Sequence, residues 1–248
     1  MEYKAFSAEL LNHLQSSIKK LKSELSPPYY AAFDADGTLW DSDLGEQFFQ
    51  YQIDHCNLPA LQEVDPWHHY KSAKEKDPPP AYLWLAQINA GVPLETVRQW
   101  AQEAVDQKGA NVFQAQKDWI SWLQDQEIEV FIVTASIQWA VEPAAKLVGI
   151  PFENVMGIKT KVVDGIVGQE QDGPITWRQG KGQALLERTS NIRPLFCSGN
   201  TYGDISLLET SIGEKLCIQT QYTENSLFEE ERKLRDKAKT DGWLQHGF

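Results

Sequence analysis

The stretch AAFDADGTLWDSD, residues 31–43, decides the fold. It places four aspartates, Asp34, Asp36, Asp41 and Asp43, within ten positions directly behind a short apolar run. The run YYAAF, residues 29–33, reads as a buried strand that ends at Asp34. Carboxylates this close repel one another. Either a solvated Asp-Gly turn or a cation between Asp34 and Asp36 accounts for them, and the rest of the chain has to choose.

Upstream, Phe6, Leu10, Leu14, Ile18, Leu21 and Leu25 recur at helical spacing, which predicts an amphipathic helix over 4–25 stopped by Pro27 and Pro28. Downstream, residues 45–126 read as mainly helical, with GEQFFQYQIDHC, KDPPPAYLWLAQINAG, PLETVRQWAQEAVDQKG and VFQAQKDWISWLQDQ as separate segments. The pattern changes at EIEVFIVTAS, whose β-branched run predicts a buried strand over 128–133, followed by a helix ending on Gly149. VMGIKTKVVDGIVGQE reads as a hairpin about Asp164-Gly165. KGQALLERT is then a helix, RPLFCS a strand, GDISLLET a short helix and EKLCIQT a last strand. Strands alternating with helices predict an α/β protein with a doubly wound, mostly parallel, Rossmann-like sheet. The helical block after the first strand is too long for a simple crossover. It is expected to be an inserted helical cap over residues 45–115, with 1–44 and 116–248 forming the core.

The 248 residues are 42% hydrophobic and 23% charged, with a net charge of −12. No basic cluster exists to displace counterions, so neither nucleic acid nor an anionic membrane is an expected partner. No stretch approaches the roughly 20 apolar residues that span a bilayer, and the charged N-terminus is unlike a secretory signal, so a cytoplasmic location is expected. The three cysteines, Cys56, Cys197 and Cys217, are too few and too far apart for a disulfide framework or a zinc site. His68 and His69 are adjacent, so on a helix they point in different directions and make no metal pair.

In an open parallel sheet, ligands bind at the carboxyl ends of the strands. One predicted strand ends at Asp34-Ala35-Asp36-Gly37-Thr38, a second at Thr134-Ala135-Ser136, and a third at Ser198-Gly199-Asn200-Thr201-Tyr202-Gly203-Asp204. Lys181 enters a helix between the last two. Acids, a hydroxyl and a lysine suit a phosphate held beside a divalent metal, oxygen ligands taking the hard cation and the hydroxyl and ammonium taking the phosphoryl oxygens.

In this order the four groups resemble the motifs of the haloacid dehalogenase superfamily, and the long insert and the hairpin resemble its phosphoserine-phosphatase-like branch. The resemblance implies the roles. Asp34 would be the nucleophile that forms an aspartyl-phosphate, and Asp36 the acid that protonates the leaving oxygen and then deprotonates water. Thr134 would hydrogen-bond the phosphoryl group, and Lys181 would neutralise its charge. Mg2+ would be bound by Asp34, the Asp36 carbonyl and the last motif, Asn200 and Asp204. Many relatives begin that last motif with Gly-Asp, whereas here the pair is Gly199-Asn200. An asparagine carbonyl ligates without a formal charge, so Asp204 is expected to be the acidic anchor, and Asn200→Asp to tighten magnesium binding.

Ala135 and Ser136 are candidate substrate-binding positions beside Thr134. Asp43 is another, because phosphoserine-specific relatives place an acid there to meet the substrate amine. The nine tryptophans read mostly as core or domain-interface residues, with Trp40, Trp67, Trp84 and Trp100 as candidate pocket walls. A substrate carboxylate is usually met by an arginine fork, and the insert's single arginine, Arg98, lies far along in sequence, so phosphoserine ranks below some other small phosphomonoester. The expected activity is a magnesium-dependent phosphatase acting on a small phosphomonoester, with a phosphoserine-like metabolite the nearest analogue. A phosphotransferase or mutase of the same fold, or a silent binding protein, are the alternatives.

Overall fold

In the computed structural model, which describes residues 3–62, 65–221 and 226–248, the sheet predicted from the strand pattern is present and has six parallel strands. α1 (Ala8–Glu24) leads into β1 (Tyr29–Phe33). The insert follows as α2 (Leu44–His55), α3 (Pro66–Lys76), α4 (Pro78–Gln87) and α5 (Leu94–Lys108), and α6 (Gln114–Asp125) returns to β2 (Ile128–Ile137). Then come α7 (Gln138–Leu147), β3 (Val155–Ile158), β4 (Thr160–Val163), β5 (Ile166–Gln171), α8 (Gln179–Arg188) and β6 (Phe196–Gly199). The chain closes with α9 (Ile205–Leu208), β7 (Glu214–Gln219), α10 (Ser226–Asp241) and β8 (Leu244–Gly247).

The strand order is β3-β2-β1-β6-β7-β8. The chain's direction of progress across the sheet reverses between β1 and β6, and that crevice is where an open α/β sheet receives ligands. Asp34 stands there, its amide donating to the Ser198 carbonyl at 2.9 Å.

Period-two alternation explains why both faces are covered. Ala31, Phe33, Val130, Ile132, Leu216 and Ile218 share one core with Leu14 and Ile18 of α1, Trp119 and Leu123 of α6 and Val141 of α7. Their alternates Ala32, Phe131, Val133, Cys197 and Cys217 share another with Leu185 of α8, Leu207 of α9 and Leu234 of α10. Strands buried on both faces read as unbroken apolar runs, which is how these appear in sequence.

Three elements differ from the sequence expectation. β2 runs to Ile137 rather than stopping at 133, so Thr134, Ala135 and Ser136 stay extended. The expected hairpin is confined to β4 and β5. Asp164 and Gly165 make its turn with φ of 51° and 78°, as a two-residue primed turn requires. The buried Val155–Ile158 instead pairs parallel with β2 as a sheet edge. Beyond the expected last strand, β8 adds a sixth, pairing Leu216 with Leu244. Its sequence LQHG has no β-branched residue to announce it, and it follows a heavily charged helix.

The insert has its own apolar cluster, built from Phe48, Phe49, Tyr70, Leu85, Val97 and Ala101, together with Ile137, Trp139 and Ala140 of the core and Val167 of the hairpin. The hairpin also bonds the insert's backbone directly, Val167 N–H to the Val92 carbonyl at 3.0 Å and Gly91 N–H to the Val167 carbonyl at 2.8 Å. No helix among the described residues is long and apolar enough to cross a membrane.

Candidate active site

The loop after β1 separates the four aspartates. The amides of Thr38 and Leu39 both donate to the Ala35 carbonyl, at 3.0 and 2.8 Å, and Gly37 takes φ of 77°, a backbone conformation that glycine adopts freely. This tight fold-back sends each carboxylate to a different partner. Asp41 accepts from the Tyr3 hydroxyl at 3.0 Å. Asp43 caps α2 by accepting the Glu46 amide at 2.8 Å.

Asp34 is buried and meets the Lys181 ammonium at 2.5 Å through Oδ1, while Oδ2 accepts the Thr38 hydroxyl at 2.9 Å. Lys181 bridges to Asp204 Oδ1 at 2.6 Å. Burial alone would lower the lysine's pKa, but the Asp204 and Asp34 carboxylates outweigh it and hold the ammonium above the usual lysine range. The Asp34 carboxyl is pushed up to about 7, first by burial and then by Asp204, with Lys181 pulling it back. The lysine shared by Asp34 and Asp204 offsets the repulsion between those two acids, and an incoming cation would add to the offset.

Asp36 faces elsewhere. Trp40 Nε1 and the Leu44 amide donate to its Oδ1 at 2.8 and 3.1 Å, and the Ser136 hydroxyl donates to Oδ2 at 2.7 Å. Burial raises this carboxyl's pKa, and the donors from Ser136, Trp40 and Leu44 oppose that rise. Ser136 is a support for Asp36 in this arrangement. Its own amide donates to Thr134 Oγ1 at 3.0 Å, which leaves the Thr134 hydroxyl proton to point at a ligand. The Thr134 carbonyl is fixed in turn by the Thr176 hydroxyl at 2.6 Å.

The last motif divides its labour. Asp204 gives Oδ1 to Lys181 and Oδ2 to the amides of Asn200 and Thr201 and the Thr201 hydroxyl, at 3.2, 2.8 and 3.0 Å. Asn200 Oδ1 lies 3.3 Å from Thr38 Oγ1, while its Nδ2 donates to the buried Glu231. Asp34 Oδ2 and Asn200 Oδ1 meet at the Thr38 hydroxyl, and with the Asp36 carbonyl that the family resemblance assigns to the metal they would make an oxygen-only donor set of the kind hard cations take. Gly37 makes room for the Asn200 side chain, because a Cβ there would stand 2.1 Å from Asn200 Nδ2. No cage of three or more His, Cys, Asp or Glu side chains occurs among the described residues, so a cation here would rest on a mixed set with amide and backbone oxygens.

All nine site residues named from the sequence, Asp34, Asp36, Asp43, Thr134, Ala135, Ser136, Lys181, Asn200 and Asp204, line one cavity of about 160 Å³. Its other wall comes from the insert as Glu46, Tyr70, Lys74, Tyr82 and Leu85. The Asp43 carboxyl is raised by desolvation at this wall and by the nearby Asp36 and Glu46 carboxylates. It keeps a solvent-facing edge, so the carboxylate repulsion is the lasting part.

The tryptophans and Arg98 stand outside the lining of this cavity. Trp40 stands behind Asp36 as its donor, and the aromatic wall is Tyr70 and Tyr82. Arg98 is bound to Glu142 at 2.7 Å in a separate surface groove. The insert's cation in the cavity is Lys74, 3.6 Å from Glu46. Sequence reasoning also missed Thr38 and Glu231. Thr38 stood in view beside the motif, whereas Glu231 sits among several glutamates on α10 with no local signal.

The haloacid dehalogenase-like hydrolase model matches residues 31–209. The chain belongs to that family. No curated protein matches the sequence. Among solved structures, this haloacid dehalogenase-like protein is similar to a protein of unknown function from Bordetella pertussis Tohama I, at 17% identity and a TM-score of 0.70 over 89% of this chain and 98% of the other. A conserved, functionally unknown protein from Anaerococcus prevotii DSM 20548 matches at 15% identity and a TM-score of 0.70, over 99% and 94%. A substrate-bound phosphoserine phosphatase matches at 16% identity and a TM-score of 0.52, over 87% and 99%. At such identities these likenesses establish the fold.

Proposed function

We propose that the protein is a magnesium-dependent phosphatase that hydrolyses a small cytoplasmic phosphomonoester through an aspartyl-phosphate on Asp34. The observation that carries this is the Lys181 ammonium bridging Asp34 and Asp204 at the topological switch point, with Asp36 held apart on its own donors. Asp34 attacks phosphorus, and the ester oxygen leaves with a proton from Asp36. A water then attacks the phosphorus of the acyl-phosphate, Asp36 takes its proton, and Asp34 is released with inorganic phosphate. Lys181 and the Thr134 hydroxyl hold the phosphoryl oxygens as charge builds on them. Asp34, Asn200 and the Asp36 carbonyl would hold the magnesium ion, which would supply the positive charge that lets an anionic nucleophile approach an anionic phosphate.

The insert acts as a cap that excludes water and reads the leaving group. The cavity's size, about 160 Å³, favours a small one. Phosphoserine ranks below other small phosphomonoesters, because the insert's only arginine is engaged with Glu142 and a substrate carboxylate would have to rely on Lys74. The phosphotransferase alternative differs only in the acceptor. Hydrolysis of p-nitrophenyl phosphate with and without magnesium tests the reading: release of p-nitrophenol that depends on the metal supports a phosphatase, and no release under either condition overturns it.

A further inference from the structure

Asn200 stands where the family's charged ligand is commonest, and an amide can face a cation with either its oxygen or its NH2. What lies behind it settles the choice. Glu231 of α10 is fully buried. Its Oε2 accepts the amides of Thr220 and Gln221 at 3.1 and 3.0 Å. Its Oε1 accepts the Thr220 hydroxyl at 2.8 Å and Asn200 Nδ2 at 3.2 Å. All four of these partners among the described residues are donors, so both oxygens act as acceptors, as in a carboxylate. An acceptor-only group behind Asn200 compels the NH2 to turn toward it and Oδ1 to turn toward Thr38 and Asp34.

We infer that Glu231 is a positioning residue for the metal site, fixing the Asn200 amide so that its carbonyl oxygen faces the cation and placing behind that neutral ligand the negative charge it lacks. This rests on the metal site of the proposed phosphatase. It also reverses the sequence expectation for Asn200→Asp, since that change sets two carboxylates against each other where a hydrogen bond of 3.2 Å now lies.

Substitution by glutamine separates orientation from shape. In Glu231→Gln the single remaining oxygen is needed by the two backbone amides, so its NH2 faces Asn200. Asn200 must then flip to accept, presenting NH2 to the cation. In the double variant Asn200→Asp with Glu231→Gln, the new amide donates to the new carboxylate and a ligating oxygen returns.

The test is magnesium binding itself, measured by calorimetry on the full-length wild type, both single variants and the double variant, with circular dichroism to confirm folding. Glu231→Gln is expected to weaken binding by about 10–100-fold, the usual cost of losing an outer-shell partner. The double variant should recover most of that loss and bind more tightly than Asn200→Asp alone. Wild-type affinity in Glu231→Gln, or a double variant no better than Glu231→Gln, overturns the assignment even if the wild type proves to be an active phosphatase. Intact metal-binding differences with no hydrolysis of any phosphomonoester would instead sink the phosphatase reading alone.

Discussion

Arg98 of the insert forks onto Glu142 of the core, with Nε 2.7 Å from Oε2 and Nη2 3.1 Å from Oε1. Glu142 is fully buried, and Gln138 donates to its Oε1 at 3.1 Å. The pair joins α5 to α7 beside the apolar cluster that the insert shares with the core. Arg98→Met removes the cation and leaves a buried carboxylate behind. Breaking a buried pair in this way costs about 3–5 kcal/mol, and the exposed part of Arg98 places the expected loss at or below the lower end, about 3 kcal/mol. A urea denaturation midpoint unchanged in Arg98→Met would show that the pair does not tie the insert down.

Asp36→Asn keeps an acceptor oxygen for Trp40 and Leu44 and turns its NH2 toward the Ser136 hydroxyl, which accepts equally well. The fold should therefore persist. Without the acid, single-turnover phosphorylation by an alkyl phosphate should slow by roughly 10²–10⁴-fold. Phosphorylation by p-nitrophenyl phosphate, whose leaving group needs little protonation, should slow much less. Equal slowing of the two would remove Asp36 from the acid role.

Lys74 is the cation that the insert presents to the cavity, and the Glu46 carboxylate is 3.6 Å away. Lys74→Met should lower kcat/KM for phosphomonoesters that carry a second anion on the leaving group by about fivefold, the worth of a half-exposed ion pair. It should leave p-nitrophenyl phosphate nearly unchanged. An identical change for both substrates would mean that Lys74 does not read the leaving group.

The strands that carry chemistry were legible because burial on both faces writes an apolar run, and polar residues at its end stand out. YYAAF before Asp34 and EVFIV before Thr134 are such runs. β8 was not legible, since LQHG is stabilised by pairing with β7 and by the packing of its His246 ring against Phe6, distant in sequence, and Phe248. The same division holds within the site. Asp34, Asp36, Thr134 and Lys181 announce themselves by position, whereas Glu231 acts across 31 residues through Asn200, a relation that only folding creates. Arg98 stands far along the insert in sequence, and the fold pairs it with Glu142.

The nucleophile is the most exposed point of the account. Asp34→Asn preserves size and leaves Lys181 paired with Asp204, so the protein should fold, yet turnover should fall below a few per cent of wild type, because an amide oxygen cannot take up the phosphoryl group as the carboxylate does. Retained turnover in a folded Asp34→Asn protein would exclude the covalent route through this residue.

The most direct measurement is acid quenching of the wild type during turnover of a radiolabelled phosphomonoester, followed by peptide mapping of the label. The account predicts a hydroxylamine-labile acyl-phosphate on the peptide containing Asp34, absent from Asp34→Asn. A stable label on Thr134, or an acyl-phosphate on any other carboxylate, would contradict it.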